Sequence, residues 1–196
     1  YYDCNFLHSS KLEDTANSNT GTDGSTGTSE AHVDVDITFN GGATYAGKGE
    51  FTKGSSTLIF AKSGTQTFNF KAAQDFENIT INAGSTVSLK GFGLGSGNPV
   101  DCFGNLVVNG ALTDSGNSSI MKIKAAGKTH DFSGDMTGLF QLIVDNAGST
   151  NLPALNTPRL KLTSTSTAVA TGNHTITEEL EVNSGTTFNA NGNTIT

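Results

Sequence analysis

The sequence predicts an all-β fold, a parallel β-helix (β-solenoid) of about eight coils behind a flexible N-terminal segment. Three observations carry that prediction. Short runs alternate apolar and polar residues from residue 32 to the end. A pair of alternating apolar residues followed by Asn, a small residue or Gly, and Ser or Thr recurs along the chain. No apolar stripe at helical spacing persists across even three turns.

The N-terminal segment, residues 1–31, opens with a small apolar patch of Tyr1, Tyr2, Phe6 and Leu7. It then runs into TANSNTGTDGSTGTSE (15–30), which is a flexible linker by composition. The solenoid is expected over 32–196. HVDVDITF reads as one strand with Val33, Val35, Ile37 and Phe39 on one face. The same alternation gives Leu58 and Phe60, Phe68 and Phe70, Ile79 and Ile81, and Val87 and Leu89. It continues with Leu106 and Val108, Met121 and Ile123, Leu142 and Val144, Leu160 and Leu162, Ile176, and Leu180 and Val182. Such alternation buries one strand face.

The repeat supplies the architecture. Ile79 and Ile81 precede Asn82 and Gly84, and Leu180 and Val182 precede Asn183 and Gly185 at the same spacing. Asn109 and Gly110 make a compressed copy; Asn146 and Gly148 make one with an extra residue, for which a bulge is expected. Leu58, Ile79, Leu142, Leu160 and Leu180 recur at multiples of roughly 18–21 residues, the length of one solenoid coil. In this reading Asn takes the left-handed conformation at a corner and stacks as a coil-to-coil ladder, while Gly supplies positive φ. An antiparallel sandwich is the competing arrangement. It does not require Asn and Gly after the same apolar pair.

Composition narrows the function classes. Of 196 residues only 15% are charged, with 24 Gly, no Trp and a net charge of −7. That net charge argues against the basic face that nucleic acid requires, and Arg159 is the sole arginine, so no nucleic-acid partner is expected. No apolar run reaches about 18 residues, so no membrane-inserting helix is expected. The chain opens on Tyr1 and closes in a strand pattern, NANGNTIT, so the expectation is a piece of a longer polypeptide.

Candidate chemistry is sparse. His32, Asp34 and Asp36 share one strand face, a cation-binding pattern that equally describes a solvated face. GFGLGSGNP (91–99) lacks a phosphate-loop signature and reads as an excursion between coils. Glu178, Glu179 and Glu181 cluster near the end, and Glu179 and Glu181 flank inward Leu180 as an exposed face rather than a glycosidase pair. Thr163, Thr165 and Thr167 form a short hydroxyl row. Cys4 and Cys102 are a candidate disulfide if the chain is extracellular. No catalytic, metal-binding or cofactor-binding set is assigned.

FENITINAGSTVSL, GNLVVNGALTDSG and LEVNSGTTFNANGNTIT resemble the degenerate β-helix repeats of large secreted surface proteins and adhesins of Bacteroidota, cargo of the type IX system. The resemblance covers roughly residues 55–196. It implies an extracellular, cell-surface location and a non-enzymatic structural or adhesive role. Asp14-Thr15-Ala16 matches the short O-glycosylation pattern of that phylum, which makes Thr15 a candidate acceptor. Partners are then neighbouring repeats or subunits, or surface glycans of other cells. A self-assembling filament subunit and a carbohydrate-binding or carbohydrate-active β-helix are the alternatives.

Overall fold

A computed structural model describes residues 57–196, apart from 62, 71–73, 92–98 and 117, and, before them, only the strands between Cys4 and Lys53. Side chains are described from Thr57 onward, apart from 62, 69–74, 91–98 and 117. The strands are β1 (Cys4–Phe6), β2 (Ser10–Leu12), β3 (Glu30–Val33), β4 (Ile37–Phe39), β5 (Ala43–Tyr45), β6 (Glu50–Lys53) and β7 (Thr57–Phe60). They continue with β8 (Gly64–Phe70), β9 (Gln74–Phe76), β10 (Asn78–Ile81), β11 (Ser85–Gly91), β12 (Pro99–Cys102), β13 (Leu106–Val108) and β14 (Ala111–Asp114). The last are β15 (Ile120–Ile123), β16 (Gln141–Asp145), β17 (Ser149–Leu152), β18 (Leu155–Thr163), β19 (Thr167–Ala170), β20 (His174–Val182) and β21 (Thr187–Asn189).

Every pairing between these strands is parallel, and no strand pairs with its immediate successor except β15 with β16. That is the β-solenoid expected from the repeat, with about six turns against the expected eight. A long sheet runs β9-β12-β15-β16-β18-β20. A front sheet runs β1-β4-β7-β10-β13, a side sheet β8-β11-β14 and an upper sheet β17-β19-β21. Six strands at about 4.8 Å spacing give the long sheet a height of about 24 Å.

Alternation becomes interior columns because the register is fixed. Leu58, Ile79 and Leu106 stack on the front sheet, as do Phe60, Ile81 and Val108. Val100, Met121, Leu142, Leu160 and Leu180 stack on the long sheet, beside Phe76, Cys102, Ile123, Val144, Leu162 and Val182. A one-residue slip would turn each column outward, so the columns themselves hold the register. Each fully buried Leu, Ile or Met contributes about 1.5–3 kcal/mol.

Several sequence expectations are corrected here. HVDVDITF is not one strand: it is divided between β3 and β4, which belong to different sheets, and Asp34 and Asp36 lie outside the described residues. β1 and β2 pair with β4 and β5, so the ladder reaches into the segment expected to precede the solenoid. Of the linker expected over 15–30, residues 15–29, Thr15 included, lie outside the described residues and Glu30 begins β3; the 92–98 part of the Gly-rich excursion between β11 and β12 also lies outside them. The extra residue of the third repeat copy, Asp145, extends β16 without a register shift; the irregularity falls instead between Thr157 and Arg159.

Candidate functional site

The repeat copies occupy two different corners. Asn82 and Asn109 follow β10 and β13 one above the other, because Ile81 registers with Val108. Asn146 and Asn183 follow β16 and β20 on the long sheet. Gly84 and Gly185 each have φ near +81° and each stand third in a turn in which Ser85 or Thr186 donates its N–H to the carbonyl of Asn82 or Asn183, at 3.0 Å in both cases. That is a turn with a left-handed third residue, which Gly occupies without a Cβ clash.

Gly110 and Gly148 do a different job from the one expected. Neither has positive φ. A Cβ on Gly110 would strike the carbonyls of Ser85 and Asn82, and one on Gly148 would lie 2.7 Å from Ala126 Cβ. Both are small because the coil beneath is close. The four repeat asparagines are not left-handed either. Asn191 is, beside Gly192, and so are Ser164 and Thr165. Thr165 therefore sits in a turn between β18 and β19, and the row expected from Thr163 to Thr167 does not share a strand face.

The asparagine ladder exists, mostly on other residues: among the four repeat asparagines Asn109 Oδ1 accepts from Ser133 Oγ of the next coil at 2.9 Å. Asn105 N–H donates to Asn78 Oδ1 at 2.9 Å, and Thr129 N–H donates to Asn105 Oδ1 at 3.0 Å. Thr194 N–H donates to Asn173 Oδ1 at 3.0 Å. Each amide oxygen stands in for a missing carbonyl where a strand begins. The signal was present in the sequence as Asn immediately before the first inward residue, in Asn78-Ile79, Asn105-Leu106 and Asn173-His174.

The most elaborate polar arrangement is on the outer face of the long sheet. Asp75, Asp101, Lys122, Ile143, Lys161 and Glu181 form one outward column. Lys124 Nζ lies 2.7 Å from Asp145 Oδ2 and 4.0 Å from Asp101 Oδ2, and Lys122 Nζ is 3.9 Å from Asp145. Thr163 donates to Asp145 Oδ1 at 2.8 Å and Ser164 donates to the same atom. Burial opposes the charge on Asp145, but these donors outweigh it and hold the carboxyl well below the usual range. Burial also opposes the charge on Lys124, and Asp145 more than reverses it. Asp101 moves the other way: burial raises it against the pull of Lys122 and Lys124.

Glu178 and Glu181 accept from Arg159 and Lys161 at 2.8 and 2.9 Å, and the Arg159 guanidinium lies 4.5 Å from the centre of the Phe140 ring. Glu181 lies on the outer face that the alternation predicts, whereas Glu178 shares the parity of Leu180 and is exposed beside the irregularity between Thr157 and Arg159. They are ion-paired across one rung, a geometry that holds neighbouring coils together.

Cys102 is a free, buried thiol, so the Cys4–Cys102 disulfide is not formed. Cys102 occupies an interior column between Phe76 and Ile123, where it packs as a small apolar residue. β1 lies on the front sheet three strands from β10, and Cys102 belongs to the long sheet, so the rungs keep the two positions apart. Burial pushes the Cys102 thiol up to about 12. No cluster of three or more His, Cys, Asp or Glu able to hold a metal ion occurs among the described residues.

At the last rung the interior columns open. Leu180 and Val182 are 40% and 43% exposed, while Leu160 and Leu162 directly beneath are 0% exposed. β20 is an edge strand whose first residues are already covered, because Ile176 and His174 exchange backbone hydrogen bonds with Thr194 and Thr196.

No protein-family model matches the chain, no curated protein matches it in sequence, and no solved structure matches it in fold.

Proposed function

We propose that this chain is a stiff, non-enzymatic spacer within an extracellular cell-surface protein, a stalk or adhesin segment. The observation that supports it most is the continuous six-stranded parallel long sheet, in which interior columns and outer ion pairs both run from coil to coil. A load along the axis is then shared by many parallel hydrogen bonds. A surface of Thr, Ser, Asn and Gly keeps it hydrated with few charges. The resemblance to secreted adhesin repeats supports the location.

Antibody labelling of intact source cells tests the location, and stretching the chain in an optical trap tests the mechanics. Labelling of intact cells and rung-by-rung unfolding at tens of piconewtons are expected. Labelling only after permeabilisation, or turnover of an added polysaccharide, would replace this reading.

A further inference from the structure

Residues 125–139 carry no strand, whereas the chain on either side of them does. They cover the front and side sheets, but with two isolated bridges, Val107 to Asp131 and Ala111 to Asp135, in place of strands. No strand of the upper sheet pairs with residues 128–139. At their inward start lies His130, 7% exposed, directly above Leu106. Leu106 N–H donates to His130 Nδ1 at 3.2 Å, and the ring stacks on Phe132 with centroids 5.9 Å apart. Nδ1 is thus an acceptor, the ring proton resides on Nε2, and Nε2 has no partner among the described residues.

We propose that residues 125–139 form an acid-releasable joint, opened when His130 takes a proton. The incoming proton can bind only at Nδ1, where it would face the Leu106 N–H donor to donor. The hydrogen bond is lost, and a cation is left in an apolar interior. The cheapest escape is for this coil, which has no regular strand and is held by backbone hydrogen bonds to residues 106–114 and by buried Phe132, Met136 and Leu139, to swing the ring into water, leaving the strand-paired long sheet intact.

The charged groups around it do not offset this. Lys128 on the same coil pairs with Glu77 at 3.6 Å, and Asp131 is exposed. From β13 the ring meets the Leu106 N–H and from its own coil the Phe132 ring, and burial alone pushes the ring down to about 4. The inference stands on the fold and is independent of the proposed extracellular role.

Hydrogen exchange, corrected for the intrinsic pH dependence, tests it on the whole chain. With an unfolded value near 6.5 and about 4 when closed, the opening constant rises about twentyfold from pH 7 to pH 5 and about a hundredfold by pH 4. Protection of 125–139 and of the Leu106 amide should fall by those factors while β16 and β18 keep theirs. His130→Asn keeps an acceptor near Nδ1 without a titrating group, and should abolish the fall. An equal fall in that variant, simultaneous loss in all strands, or no change in 125–139 would overturn the proposal. If the variant does not fold, the His130 ring is followed by NMR in the wild type. Its titration should coincide with the opening, and a midpoint near 6.5 with the coil still protected sinks the idea.

Discussion

The part of the molecule below residue 125 and the part above 140 share one sheet and little else. Below, Ile79 follows Leu58 by 21 residues and Leu106 follows Ile79 by 27, and three sheets enclose Phe60, Phe68, Phe76 and the Ile and Leu columns. Above, Leu160 follows Leu142 by 18 residues and Leu180 follows Leu160 by 20. Only the long and upper sheets remain there, around Ala168, Ala170, Leu152 and Thr150. Shorter coils enclose a thinner interior, and the side chains shrink to fit it. The difference shows that a solenoid can change cross-section within one chain, provided one sheet keeps its register through the change.

Core truncation gives the largest expected contrast. Leu106→Ala in the thick part should cost about 3–4 kcal/mol, because a fully buried side chain leaves a cavity. Leu180→Ala at the open end should cost less than about 1 kcal/mol, since that side chain is 40% exposed. Urea unfolding followed by circular dichroism at the β-sheet band checks both, and equal costs would mean that the end coil is covered in solution.

The next effect compares two close-approach glycines. Gly110→Ala meets backbone carbonyls that cannot retreat and should cost more than about 2 kcal/mol. Gly148→Ala meets the methyl of Ala126 on the bridge-held coil and should cost about 1 kcal/mol. The same urea titration reads the difference; the reverse order would show that the joint is the more rigid of the two.

Electrostatics at the shared sheet comes third. Asp145→Asn should cost about 1–2 kcal/mol at pH 7, since it loses a partly buried ion pair and charge-assisted hydrogen bonds. The folded carboxyl titrates below the unfolded one, so its stabilisation is present above about pH 4 and fades as pH falls further. Wild type and variant should therefore converge in stability toward pH 2. His130 acts over a higher window: its stabilising effect is complete above about pH 6.5 and is lost as pH falls toward 4.

The smallest effect separates asparagines that look alike in sequence. Asn105→Ala and Asn173→Ala, one in each part, should each cost about 1 kcal/mol by leaving the Thr129 and Thr194 amides to water. Asn82→Ala should stay within about 0.5 kcal/mol, because the turn uses its carbonyl rather than its side chain. Thermal melts resolve the two classes, and a cost at Asn82 equal to that at Asn105 would restore the ladder to the repeat positions.

Many strands from Thr57 onward and their inward residues were legible in the sequence, because side-chain alternation with period two is a local property of an extended chain; β12, β14 and the upper sheet, with Val100, Leu112, Leu152, Ala168 and Ala170 inward, were not. The solenoid was legible too, since only stacked coils need the same apolar pair and the same turn at each return. Leu58, Ile79, Leu142, Leu160 and Leu180 were correctly inward, yet they divide between the front and long sheets. Periodicity reports burial and coil length, and it is blind to which face of the coil a strand joins. Gly84 and Gly110 look equivalent in sequence, but one is chosen by φ and the other by the coil beneath it. The acceptor role of His130, the free thiol of Cys102 and the carboxylate–lysine ladder likewise arise between residues about 20 or more positions apart. Alternation and turn chemistry act within a few residues, so the sequence alone determined many of the strands and the solenoid. Register acts across whole coils, so only the tertiary structure decided which side chains meet.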